Sequence, residues 1–275
     1  MDKKKILTKW NVVFIIIILS WTVFPVYYLS LTSVKPARLM FERPPSFFFS
    51  PSLQAYEKIL IEEQYYQFFV NSFIIAAGAT VLALIIGSLA AFSFIQWKFR
   101  WKETIFFSSL IGRMFPPVTT LIPVYFIIRT FGLLDTHLSL VLVYASFEIP
   151  LVLLILRDFF NQVPVEIREC AFLDGCSNYQ VFSKIVLPLS INGILAAGVL
   201  TFVLSWNEFL FALVLTSFRA KTAPVALATF VENEGMLQWG AMSALGIFTI
   251  LPVLVFMVFM NKFLVKGLTL GSLKG

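Results

Sequence analysis

Apolar and polar positions along this chain alternate in blocks, not residue by residue. Val12 to Leu31 and Phe68 to Ile95 are runs without a full charge, each about as long as the roughly twenty residues a helix needs to cross a bilayer. Gly240 to Asn261 is a third such run, and Ile191 to Phe218 a fourth, interrupted by Glu208. Two less pure segments lie between them: Ile105 to Ile128, which carries Arg113, and Leu138 to Leu156, which carries Glu148. The pattern therefore predicts six transmembrane helices in an all-α polytopic fold occupying residues 1–275 as a single membrane domain. The longest polar connections are 32–67 and 157–190, with a further loop over 219–238. No internal repeat or low-complexity tract is visible.

Composition strengthens this reading. Of 275 residues, 59% are hydrophobic and 13% charged, whereas soluble domains carry about 25% charged residues. The net charge of +6 does not point to nucleic acid, because the basic residues lie between apolar runs and form no stripe with interleaved aromatics. Counted on alternate connections, thirteen lysines and arginines fall on the side of the termini and seven on the other. That bias places both termini in the cytoplasm. Trp10, Trp97, Trp101 and Trp239 stand near span ends, where an indole sits well at headgroup level. Lys3, Lys4 and Lys5 precede the first run as in a secretory signal, but the run is too long for a signal core and no small-x-small site follows, so it is expected to remain as the first span. Cys170 and Cys176 are the only cysteines and His137 the only histidine, so neither a disulfide framework nor a zinc site is indicated and no cofactor is expected.

The most informative polar segment is 163–190. Pro164 suits the first turn of a helix and Gly175 the left-handed position that ends one. Ile167, Cys170 and Ala171 share a face of that helix, with Glu166 and Arg168 pointing elsewhere. Ser177 and Gln180 have the spacing of a capping box, opening a second helix ahead of Val181, Phe182 and Ile185. A short helix with one apolar face is too small to stabilise itself and needs a groove on a partner. No G-x-x-x-x-G-K-[ST] loop occurs in the chain, so any nucleotide hydrolysis would take place in another subunit.

The run Glu169-Cys-Ala-x-x-Asp174-Gly175-Cys176, followed by Phe182, Ile185 and Pro188, resembles the "EAA" loop of the membrane subunits of binding-protein-dependent ABC importers. Asn71-Ser72, Phe115-Pro116-Pro117, Ile122-Pro123, Gly132-Leu-Leu-Asp-Thr136, Trp206-Asn207-Glu208-Phe209-Leu210 and the closing Val265-to-Gly275 segment extend the likeness over nearly the whole chain. Together they are similar to the second permease subunit of carbohydrate importers of the maltose and trehalose type. Cys170 and Cys176 stand where alanine is usual in that loop. The resemblance implies a heterodimer with a second homologous permease, two cytoplasmic ATPase subunits, an extracytoplasmic sugar-binding protein and a carbohydrate substrate. It implies location in a bacterial or archaeal cytoplasmic membrane, and no enzyme activity of the chain's own. Ala171, Asp174, Gly175, Phe182 and Pro188 would form the ATPase-coupling element. Glu169 would pair with a basic residue of the ATPase, and the 219–238 loop, which contains Ala223-Pro224, Glu232, Asn233 and Gly235, would face the binding protein as a region, with no individual contact assigned.

Several residues inside the spans carry their own expectations. A charge within the bilayer faces a cavity or a partner, so Glu208 with Asn207 marks either a translocation pathway or an interhelical hydrogen bond. Pro116 and Pro117 break the third span and free backbone carbonyls, which makes the stretch beginning at Phe115 either a gate or a static kink. Arg113 and Glu148 fall at similar depths in consecutive antiparallel spans, and an ion pair between them is predicted. The competing readings fare worse. A self-sufficient secondary transporter would call for internal repeats and coupling-ion residues at the midplane, and a membrane enzyme for a nucleophile, metal set or acid–base pair.

Overall fold

The computed structural model describes the backbone of residues 9–234 and 238–271, and side chains over 11–230 and 238–256. Lys3, Lys4, Lys5, Gly235 and the last four residues lie outside the described residues, as do the side chains of Glu232 and Asn233. All regular structure among the described residues is helical. The principal helices are α1 (Lys9–Ser33), α2 (Tyr66–Gln96), α3 (Lys102–Met114), α4 (Pro117–Thr130), α5 (His137–Asn161) and α6 (Val165–Leu173). They continue with α7 (Asn178–Leu189), α8 (Ile191–Trp206), α9 (Leu210–Leu215), α10 (Ala223–Glu234) and α11 (Trp239–Gly271). The α1, α2, α5 and α11 helices are long and apolar enough to cross a membrane. Two bent pairs, α3 with α4 and α7 with α8, bring the number to six if each is one span.

The chain divides into two compact units, 1–66 with 226–251 and 67–225 with 252–275. In the first, α1 leads into short helical turns at Ala37–Leu39 and Gln54–Glu57, the latter widening into a π-turn over Lys58–Glu62. The Ser33 hydroxyl meets the Tyr56 hydroxyl at 2.8 Å, and the Tyr56 ring packs edge-on against Phe248. The α1 surface from Asn11 to Trp21 is exposed along every side, as suits a helix whose apolar side chains meet lipid.

The second unit is built around α2 and α5. In a bilayer no hydrophobic force drives helix against helix, so close packing of small residues does the work. Ala79, Ala83 and Ala91 of α2 are buried, and a Cβ on Gly87 would stand 2.6 Å from Cγ1 of Val152 on α5. Only a glycine lets these two backbones approach so closely. Phe160 at the end of α5 is fully buried and packs against Phe182 of α7, with ring centroids 6.5 Å apart.

The break expected at Pro116 and Pro117 is present: Phe115 (ψ 133°) and Pro116 (ψ 130°) are extended, and α3 and α4 meet at 96°. Proline on the following residue disfavours the α conformation at each of these positions. The fifth run ends as a regular helix at Trp206, is unwound over residues 207–209 and resumes only for the six residues of α9. Glu208 therefore lies in a break, not within a continuous span. The 219–238 loop also differs, since α10 occupies 223–234, whereas the helix, glycine break and second helix expected within 163–190 are present as α6 and α7.

Candidate functional site

Three polar features are distributed along α5. The first follows its C-terminal end. Pro164 occupies the N-cap of α6, and the helix closes in a Schellman arrangement. The Cys176 N–H donates to the Ala171 carbonyl at 2.9 Å and the Gly175 N–H to that of Phe172 at 3.1 Å. Gly175 holds the required positive φ of 83°, and Asp174 is the C-cap residue. Two residues on, the Ser177 N–H donates to Gln180 Oε1 at 2.8 Å and the Gln180 N–H to Ser177 Oγ at 3.3 Å. The predicted capping box is thus present and opens α7.

The coupling residues divide into an anchored and an uncovered set. Ala171 and Phe182 are buried, and the Phe182 ring lies 5.2 Å from that of Phe92 on α2. Glu169, Asp174, Gly175 and Pro188 are exposed. Ile167 and Cys170, which share a helix face with Ala171, are exposed as well, so only the Ala171 edge of that face is buried. Leu173 and Tyr179, flanking the glycine break, are 87% and 72% exposed. Arg168 fixes the helix to the bundle, since its Nη1 donates to Oε1 of Gln96 at 3.2 Å.

The second feature is a cavity of about 180 Å³ beside the middle of α5. Arg113 from α3 and Glu148 from α5 form the predicted ion pair at 3.0 Å, and Arg113 Nη1 also donates to the Phe147 carbonyl. Glu208 lies on the same wall. Its carboxylate accepts from the Phe211 N–H at 2.9 Å and the Ala212 N–H at 3.2 Å, so it caps the first turn of α9 where α8 has unwound. Of the four tentative pathway residues, Glu208 alone lines the cavity. Asn207 is exposed and its amide donates to the Val203 carbonyl at 2.8 Å, while Phe115 and Pro116 are exposed at the α3–α4 break and Pro117 takes their place on the wall. At the start of α4 the Thr119 hydroxyl donates to the Pro116 carbonyl at 2.7 Å and the Thr120 hydroxyl to that of Pro117 at 2.9 Å. Tyr144 and Ser205, which sequence reasoning passed over, also line the cavity. Tyr144 stands four residues before Glu148 on the same face of α5, and Ser205 lies in the last turn of α8, just ahead of the break that holds Glu208.

The third feature lies at the N-terminal end of α5. Asp135, held at φ 56°, accepts backbone N–H bonds from Ser217, Phe218, Arg219 and Ala220 at 3.0–3.2 Å. Burial pushes its carboxyl upward, but these four backbone donors prevail and hold it below its ordinary value, since each favours the charged form. Asn71 on α2 joins the same loop. Its amide donates to the carbonyls of Arg219 and Lys221 at 3.0 Å each, and its Oδ1 lies 2.7 Å from His137 Nε2. Next to it, Ser72 Oγ accepts from the Ala223 N–H at 2.8 Å. Burial also lowers the Lys221 ammonium below its usual range. His137, expected in a connection, is instead the first residue of α5. The Asp135 clamp carries no sequence signal beyond an aspartate just before a helix start, because its donors come from some eighty residues downstream.

Residues 83–269 match the model of the binding-protein-dependent transport system inner membrane component. The chain is 32% identical over 254 residues to the sulfoquinovosyl glycerol transport system permease protein of Agrobacterium fabrum, covering 92% of this chain and 89% of that one. It is 31% identical over 272 residues to the trehalose transport system permease protein of Mycobacterium tuberculosis, covering 98% of each. The fold matches a chain in the crystal structure of a bacterial ABC transporter involved in the import of the acidic polysaccharide alginate, with a TM-score of 0.78 and 20% identity over 95% of this chain and 98% of that one. With its apolar helices, its helix–glycine–helix element and a family match over more than half its length, this chain belongs to the binding-protein-dependent transport system inner membrane components and is a multi-pass membrane permease.

Proposed function

We propose that this chain is the membrane-spanning permease subunit of a binding-protein-dependent ABC importer for a carbohydrate, a di- or oligosaccharide such as trehalose or maltose. In this reading it pairs with a second homologous permease, two cytoplasmic ATPase subunits supply the energy, and an extracytoplasmic sugar-binding protein delivers the substrate. Both termini and the α6–α7 element face the cytoplasm of a bacterium or archaeon, and the 217–223 loop faces outward. The observation that carries this reading is the α6–Gly175–α7 element. Its Ala171 and Phe182 side chains are buried while Glu169, Leu173 and Tyr179 remain uncovered, which is the form of a lever joined to the bundle with a free docking surface. Sugar permeases among the relatives support the substrate class.

The α5 helix gives the proposal its geometry. Twenty-five residues long, it spans roughly 37 Å at 1.5 Å per residue, with the clamped loop at one end, the cavity midway and the docking helix at the other. A shift of α6 driven by an ATPase would reach the cavity wall along a single rigid element. Asn207, Glu208, Phe115 and Pro116 are assigned to the pathway region on this basis, with only Glu208 on the cavity wall itself. Purification in mild detergent tests the assembly: an ATPase and a second permease should come out with this chain. Purification of the chain alone, from cells expressing the whole transport locus, would refute the subunit reading. Calorimetry on the binding protein would then name the sugar.

A further inference from the structure

A second cavity, of about 310 Å³, lies within the first unit, where α1 ends and α11 begins. Tyr28 on its wall belongs to the last turns of α1, and Trp239 is the first residue of α11. Both helices are long and apolar enough to cross a membrane, so their shared end lies at headgroup level, where Tyr and Trp rings are enriched. Tyr28, Phe41, Phe47 and Trp239 line the cavity and are 41–62% exposed, which gives it an aromatic rim. Gly240 lets α11 come this close, since a Cβ there would stand 3.1 Å from Cε of Met40. The charges are one-sided. Lys35 is the one charged residue on the wall; its ammonium stands over the Phe49 ring, 5.7 Å from the centroid, and has no carboxylate partner among the described residues. A smaller cavity of about 230 Å³ adjoins this one and shares Lys35, Met40 and Trp239 with it. There Lys58 is already engaged by Glu63 at 3.2 Å and by Gln238. Gly240 and Ala241 also line that smaller cavity, so the positive end of the α11 dipole adds to the Lys35 charge. Finally, Ser46 Oγ, on the wall of the larger cavity, is buried without a hydrogen-bond partner among the described residues, and buried hydroxyls are rarely left so.

We infer that this cavity holds the headgroup of an anionic phospholipid, with the phosphodiester at Lys35, a headgroup hydroxyl at Ser46 and the acyl chains along α1. A phosphodiester answers both the uncommitted ammonium and the helix N-terminus. A hydroxyl-bearing headgroup supplies Ser46 with the partner that it lacks. No carboxylate lines the cavity, so the ammonium of a zwitterionic headgroup would be left beside Lys35 without an anion of the protein to balance it. The volume is at the lower end of the roughly 300–1,000 Å³ of small-molecule pockets, room for a headgroup and not for its chains. The chains have a path of their own, because Val23, Phe24 and Tyr27, just below the cavity on α1, are 52–59% exposed. This inference requires only that the chain spans a membrane and is independent of the solute transported. In the orientation proposed above the lipid belongs to the outer leaflet.

Native mass spectrometry of the delipidated, detergent-purified permease, with the subunits that accompany it, reads the lipid retained after phosphatidylglycerol or phosphatidylethanolamine is added. The wild type should retain severalfold more phosphatidylglycerol than phosphatidylethanolamine, and Lys35→Gln should lose that preference. Arg38→Gln removes the same charge from an exposed position off the cavity wall and should keep it. Ser46→Ala should lower phosphatidylglycerol retention severalfold; it leaves no new buried group unsatisfied, so a merely structural role predicts no change. Should Lys35→Gln fail to assemble, Ser46→Ala decides the matter. Equal retention of the two lipids by the wild type, an unchanged preference in Ser46→Ala, or a loss in Arg38→Gln equal to that in Lys35→Gln would each overturn the site, the last by showing diffuse attraction to charge. Displacement of the lipid by millimolar inorganic phosphate would overturn it as well, because the cavity would then be a site for a free anion.

Discussion

At the residue scale, the membrane interior is organised by the rule that each charge must be answered. Arg113 and Glu148 are 27% and 10% exposed at the side chain, enough burial that leaving one alone is costly. Removing one partner of a buried pair costs roughly 3–5 kcal/mol, while replacing both with apolar groups is often neutral. Arg113→Leu or Glu148→Leu alone should therefore reduce assembled protein in the membrane severalfold, and the double substitution should recover part of the loss. Strictly additive defects in that cycle would show that the two do not act as a pair. Asp135 plays the same part for backbone donors instead of a cation. In Asp135→Ala four N–H groups of residues 217–220 lose their acceptor, and hydrogen exchange at those amides should accelerate by roughly tenfold or more, given the 1.5–3 kcal/mol of a charge-assisted bond. Unchanged protection would mean the loop is held by other contacts. The ion pair is legible in the sequence because depth follows from counting residues along a helix. The Asp135 clamp is not, because nothing local links position 135 to position 217.

At the element scale, hydropathy finds the six apolar runs but is blind to how the backbone travels through them. Proline at 116 and 117 announces a break in the third run; that the break turns the chain by 96° depends on the packing of α3 and α4 against the rest of the unit. The unwinding at residues 207–209 has a weaker signal still. Glu208 reads as a charge stranded in a span, when it is the cap that makes the break tolerable by taking up the freed N–H groups of α9. The α6–α7 element is the opposite case, since its stop and start signals are local. Pro164, Gly175, Ser177 and Gln180 each do what their position predicts. A Cβ on Gly175 would meet nothing within 4 Å, so the cost of replacing it is conformational alone. Gly175→Val should weaken retention of the ATPase during purification, because a β-branched residue resists positive φ. Gly175→Asn, which tolerates that conformation better, should retain most of it. Equal behaviour of the two variants would show that the left-handed turn is dispensable.

At the scale of the whole molecule, the proposed function makes the chain a passive transmitter between an outer substrate carrier and an inner motor. In the proposed orientation the α6–α7 element lies on the same side as the termini, and α5 links that element to the cavity and to the clamped loop. The most direct test of the central claim is sugar-stimulated ATP hydrolysis by the assembled importer carrying Glu169→Lys, reconstituted with its binding protein. Glu169 is exposed, so charge reversal there should leave the fold and membrane insertion intact. Stimulated hydrolysis should fall to the unstimulated level while the permease remains at wild-type abundance in the membrane. Hydrolysis that still rises to the wild-type rate on addition of sugar-loaded binding protein would contradict it, because coupling would then not pass through this face of α6.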